Sequence, residues 1–159
     1  MENRVQLSEE TIKRLLTPFN DSVSNYKLPM PGIDIVITVD TSAIGIGCGE
    51  IIVPLIIPLM PNFTLSLGAF EVRGGLLYFR VLRIGSIGGP FMNKTSPIQG
   101  FGVKYLIESI SAKNVRVKYM DGWVEVDLMA IISERVPAIG FLRLSSLAVD
   151  KGLEITFDA

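Results

Sequence analysis

Side chains with nucleophilic or acid–base potential are few in this chain. It has one cysteine, Cys48, and no histidine. Cys48 sits in Gly45-Ile46-Gly47-Cys48-Gly49, which invites two chemistries. A dinucleotide-binding loop needs a third glycine where Glu50 stands, and a helix behind it, and the pattern offers neither. A thiol nucleophile needs a base for its proton, and the usual imidazole is missing. A lone cysteine among strand glycines reads instead as a small buried hydrophobe.

The other chemistry-bearing residues are acids and bases on extended segments. Asp34, Asp40, Glu50, Glu71, Asp121, Glu125 and Asp127 could supply a carboxylate pair for general acid–base work. Strand parity puts most of them on a solvated face. Arg73, Arg80, Arg83, Arg116 and Lys118 could form a basic strip for a phosphate or a lipid head group, but they do not share one parity. Asn62-Phe63-Thr64 and Asn93-Lys94-Thr95 match the glycosylation triplet, a pattern frequent by chance. With one cysteine and no histidine, neither a disulfide nor a transition-metal cage is expected, and no cofactor.

The bulk composition points away from catalysis. Hydrophobic residues make up 48% of the 159 residues and charged ones 19%, below the usual quarter or so. The mean hydropathy of +0.44 is correspondingly high. That excess needs a covered core or an apolar surface with a role. A net charge of −1 gives no long-range pull toward nucleic acid or an anionic membrane. The length suits one domain over residues 1–159. Ala43–Met60 is the one stretch to test as a membrane span, and Glu50, Pro54, Pro58 and three glycines argue against it. Met1-Glu2-Asn3-Arg4 runs into a polar helix, not an apolar leader. The expected location is the cytoplasm as the sequence stands, or the cell envelope if a leader has been removed.

The elements that must position these residues are mostly strands. Ser8 reads as a helix N-cap before Glu9 and Glu10, with Leu7 stapled on Ile12. Ile12, Leu15, Leu16 and Phe19 form one apolar stripe, and Pro18 ends the helix near Thr17. Ile33–Val39 alternates as a half-buried strand, and Ala43–Leu59 is a second extended region. Pro54 and Pro58 share a parity there, which predicts an edge strand with its unpaired side outward. Phe63–Val72 and Leu76–Ile84 form a hairpin across Arg73-Gly74-Gly75. The inward parity changes from Leu67 to Phe70, so a bulge is expected at Gly68.

Gly85–Gly100 is then a long loop with Phe91 and Met92 at its centre, either a lid or membrane-touching tip or a loop pinned to the core by Phe91. Val103, Leu106, Ile107 and Ile110 mark a second amphipathic helix. Asp121-Gly122 is a type I′ turn that pairs Met120 with Trp123, Tyr119 with Val124 and Lys118 with Glu125. The same register continues to Val117–Val126, Arg116–Asp127 and Val115–Leu128, with one face wholly apolar or aromatic. Ser133–Gly140 is a loop or short helix stopped by Pro137. A last hairpin joins Leu142–Val149 to Leu153–Phe157, with Leu147, Val149, Leu153, Ile155 and Phe157 inward and Ser146, Glu154 and Thr156 outward. The expected fold is α+β: a curved, mostly antiparallel β meander packed on two amphipathic helices.

A helix opened by Leu7-Ser-Glu-Glu-Thr-Ile12, long antiparallel strands, a second helix and a closing hairpin ending Gly152-Leu-Glu-Ile-Thr-Phe157 make an order of elements with a parallel. It resembles the YceB/LmeA-type envelope proteins of the TULIP class, related to bactericidal/permeability-increasing protein. The resemblance implies a curved sheet wrapped on a helix and enclosing an apolar groove for lipid; it carries over no site residues. The expected function is a non-catalytic binding module for an apolar or lipid-like ligand. Its cavity would be lined by Ile12, Leu16, Phe63, Leu65, Leu67, Leu77, Phe79 and Val81, although the same residues form an ordinary core if the sheet closes on the helix. The alternative is a structural module that buries the Pro54 edge in a homo-oligomer or partner interface.

Overall fold

Two antiparallel sheets organise residues 2–16, 26–30, 33–56, 63–86, 92–93 and 115–159, which this computed structural model describes. Strand β1 (Glu2–Ser8) leads into helix α1 (Glu9–Leu16). Strands β2 (Tyr26–Met30) and β3 (Ile33–Val39) precede a 3-10 turn at Thr41–Ala43. Next come β4 (Gly45–Gly47), β5 (Glu50–Ile56), β6 (Phe63–Arg73), β7 (Leu76–Ser86) and the two-residue β8 (Met92–Asn93). Strands β9 (Val117–Met120) and β10 (Trp123–Val126) run into helix α2 (Leu128–Arg135) and a 3-10 turn at Pro137–Ile139. Strands β11 (Arg143–Val149) and β12 (Gly152–Asp158) complete the described chain. The larger sheet has the order β2-β3-β5-β6-β7-β10-β9, with β4 also on β5 and β8 also on β7, and it curls into a half-barrel. The smaller has the order β1-β12-β11.

Local turn chemistry sets the meander. The turns at Cys48-Gly49, Gly74-Gly75 and Asp121-Gly122 each hold both central residues at positive φ, between 53° and 86°. That is the type I′ geometry whose twist matches paired strands. Around Asp121-Gly122 the expected register holds from Met120–Trp123 to Val117–Val126, and Lys118 Nζ lies 3.8 Å from Glu125. Beyond Val126 one further ladder bond forms, from the Asp127 N–H to the Arg116 carbonyl at 2.9 Å. The Asp127 carboxylate accepts the Ala130 N–H at 3.0 Å and caps α2, and the Arg116 guanidinium pairs with Glu134. Leu128 therefore begins a helix, and Val115 is 81% exposed, not part of the inner face. The helix stops where Pro137 could not continue it.

Ahead of the expected helix, residues for which the sequence predicts no element form a strand. Its hydrogen bonds go to β12, placing Val5 opposite Ile155 and Leu7 opposite Leu153. Such long-range pairing leaves no periodic trace in a polar segment. Helix α1 starts as expected: Ser8 Oγ accepts the Thr11 N–H at 3.2 Å, and Glu9 and Glu10 occupy the first turn. Ile12 is buried, but Leu15 is 54% exposed, which narrows the stripe. Phe19, the helix expected at Val103–Ile110, Pro58 and Phe91 lie outside the described residues, as does the side chain of Leu16.

Glu9 ties α1 to the sheet. Its carboxylate takes the Lys13 ammonium at 2.7 Å and the Ile46 N–H at 2.9 Å. The Lys13 hydrogen bond, then the Ile46 one, holds its pKa below the ordinary glutamate value. A depressed folded-state pKa stabilises in full above the ordinary glutamate range and is lost as pH falls through the folded value. Urea midpoints from pH 7 down to pH 3 should therefore fall less steeply in Glu9→Gln than in the parent. Parallel curves would contradict the tether.

The core lies against one face of the half-barrel. Leu77, Met129 and Leu144 are buried together, with Phe70, Val72, Ile132, Leu147, Ile155 and Phe157 around them. Helix α2 and the smaller sheet thus cover the β6–β7 hairpin at its turn end. Thr156, expected outside, is buried, flanked by its cross-strand neighbours Arg4 and Ser146. Leu144 and Ser146 flank a register shift on β11 that leaves Ser145 as the extra residue.

Candidate functional site

Two bulges in the β6–β7 hairpin decide which side chains share a face. Gly68 pairs with Arg80 and Glu71 with Tyr78, so β6 carries an extra residue, and Ala69 stands at φ 53°. This is the expected parity change near Gly68. A second bulge was not expected: Ser66 pairs with Arg83 and Leu67 with Val81, leaving Leu82 as the extra residue of β7. Gly68 leaves the space that Leu82 fills, since a β-carbon there would lie 3.2 Å from Leu82 Cγ.

The apolar face gathers most of the expected ligand-lining residues. Val81 and Val124 are buried together, and Leu65, Leu67, Phe79, Val117, Tyr119 and Val126 pack around them. Leu77 belongs to the adjoining cluster under α2, with Phe79 shared between the two. Ile12 stands on α1, which packs on the Thr41–Ala43 turn and β1, while the hairpin packs on α2 and β11. The side chains of Leu16, Phe63 and Met92 are not among those described, although the Met92 backbone pairs with Ile84.

The opposite face of the same strands is polar. The two bulges put Arg73, Arg80 and Arg83 on one side, correcting the expectation that parity separates them. Glu50 receives the Ser66 hydroxyl at 2.5 Å and pairs with the Arg83 guanidinium, and Ser66 is 0% exposed. A serine so enclosed cannot reach a substrate; the trio ties β5, β6 and β7 together. Arg73 forks onto Glu71 and lies 5.1 Å from the Tyr78 ring and 5.2 Å from Trp123. Arg80 stacks 4.4 Å from Trp123. The Tyr78 hydroxyl donates to Glu125 at 2.9 Å, and that bond raises the pKa of the phenol. Ser66, Tyr78 and Trp123 were not legible as site residues. Only the aromatic beside the Asp-Gly turn, opposite an arginine-rich strand, offered a signal.

Two other expectations are corrected. Cys48 is exposed at a turn, not buried, because the i+1 position of a type I′ turn points its side chain away from the strands. Pro54 lies within the sheet, not at an edge. It pairs with Thr64 on one side, and its carbonyl accepts the Asp40 N–H at 2.9 Å on the other. The proline nitrogen faces the point where β3 hands over to β4 as the neighbour of β5, so a missing N–H breaks no ladder there.

Among the described residues no group of acids and cysteine could hold a metal ion, and no helix is long and apolar enough to cross a membrane. A shallow groove of about 500 Å³ runs along Gln6–Ser8 and Asp150–Glu154, and a smaller one of about 210 Å³ lies by Gly74, Gly75 and Arg143. Both are open, and neither includes any expected lining residue. Comparison with family models, with curated proteins and with solved structures returns no match.

Proposed function

We propose that this chain is a non-catalytic binding module for an apolar, lipid-like ligand held on the apolar face of the half-barrel, as in the TULIP class whose element order it resembles. The observation that carries the reading is an asymmetry along β6 and β7. At the turn end their apolar face is covered by α2 and the smaller sheet. At the other end the Val81–Val124 cluster draws, among the described residues, on β6, β7, β9 and β10 alone. Val81 and Val124 are buried, but the apolar side chains around them are only partly so, and an acyl chain lying over these would cover them through its apolar area. On the opposite face Glu50, Ser66 and Arg83 tie three strands together around a buried hydroxyl, which fits a module without a reaction.

Native mass spectrometry before and after organic extraction tests this. The parent should carry an extractable apolar molecule, and the stripped protein should enhance the fluorescence of 1-anilinonaphthalene-8-sulfonate. Leu67→Asp should lose both while keeping the parent's circular dichroism, and Leu67→Ala should weaken the dye response. A stripped parent that ignores the dye and holds no ligand would overturn the reading. If such a protein ran as a dimer, self-association would account for the apolar surface, through a surface other than the paired Pro54 edge. The exposed Met120 at the end of β9 is one candidate for it.

A further inference from the structure

We propose that Arg80, backed by Trp123, is a receptor for a phosphate-type oxyanion on the polar face of the half-barrel. Successive strand side chains point to opposite faces, so this site lies behind Phe79, Val81 and Val124 and does not rest on the ligand proposed for the apolar face. Its case begins with ion pairing. On this face Glu71 takes Arg73, Glu50 takes Arg83, and Glu125 takes Lys118. Arg80 has no carboxylate partner among the described residues, and its Nε–H is buried without an acceptor. Its recorded contact is the Trp123 ring at 4.4 Å.

That stacking has a geometric consequence. An indole ring 4.4 Å from Cζ restrains the guanidinium, leaving its terminal N–H groups to meet an anion. A guanidinium fork matches two oxygens of a phosphate, and a pre-oriented fork loses little freedom on binding. Arg73, 5.2 Å from the same ring, is held by Glu71, so it does not compete with Arg80 for an anion. The whole chain's net charge of −1 gives no steering from afar, so recognition is short-range and local. The oxyanion could be free phosphate or the phosphate of a lipid head group.

Trp123 is the only tryptophan, so its fluorescence reports this site alone. Titration with inorganic phosphate, against sodium chloride at matched ionic strength, should give a saturable change in emission. Arg80→Gln, with unchanged circular dichroism, should raise the half-saturating concentration about tenfold or more, the loss of one charge-assisted pair. Arg80→Lys, which keeps the charge but not the fork, should fall between. Phosphatidylglycerol-containing vesicles, against pure phosphatidylcholine, distinguish the sources: an Arg80-dependent response to these vesicles but not to inorganic phosphate assigns the head group. A response equal to that of chloride, or unchanged in Arg80→Gln, for both probes would overturn the proposal.

Discussion

Leu144→Ala should destabilise the protein by about 2–5 kcal/mol, the usual cost of emptying a leucine-sized site in a packed core. Leu144 is 1% exposed, the most enclosed apolar side chain among the described residues, and it sits with Leu77 of β7 and Met129 of α2. It pins the smaller sheet to the half-barrel from β11, directly beside the bulge at Ser145. A bulge holds the backbone in place, so the neighbours have little freedom to collapse into the gap. For a domain whose whole stability is about 5–15 kcal/mol, this loss is a large fraction. Urea unfolding followed by circular dichroism checks it, with Leu144→Met as the volume-conserving control expected to cost less than about 1.5 kcal/mol. A loss below 1 kcal/mol in the alanine variant would mean that β11 does not close this core.

Gly152→Ala should release β1 from β12. A β-carbon at Gly152 would fall inside van der Waals contact of the Leu7 carbonyl oxygen and 3.2 Å from its carbon, both backbone atoms. Backbone cannot rotate aside as a side-chain end can, so the strands must separate where Ser8 opposes Gly152. Overpacking of this kind costs about 1–3 kcal/mol. The consequence reaches further, because Ser8 caps α1 and α1 carries the Glu9 contact to Ile46. Hydrogen exchange should show β1 amides losing protection while those of β9 and β10 keep theirs. Full protection of β1 in the variant would contradict the close approach at Leu7.

How far these features were legible varies with the range of the interaction. The Asp121-Gly122 hairpin could be read to the residue because a turn signal, a period of two and a cross-strand charge pair all lie within ten residues. The same reasoning overran by one pair, Val115 with Leu128, because the Asp127 N–H keeps its ladder bond to the Arg116 carbonyl while its carboxylate caps a helix. A cap and a strand residue look alike until the following segment is known to be helical. Gly68 marked its bulge, since the apolar parity changes across it. The bulge at Leu82 was not foreseen, although Arg80 and Arg83, an odd number of residues apart, share a solvated face only if an extra residue stands between them.

The candidate sites divide in the same way. Leu65, Leu67, Leu77, Phe79 and Val81 were identified from alternation, and they do line one apolar face. What packs on the turn end of that face depends on α2 and β11, tens of residues away, and alternation carries no such information. The missing histidine, the apolar excess and the turn residues were determined by the sequence alone, because they are composition or local backbone preference. Which arginines share a face, which of them has a carboxylate, where Pro54 can sit and what the first strand pairs with were decided only in three dimensions. Each depends on register between distant strands, and a slip of one residue exchanges the two faces of a sheet.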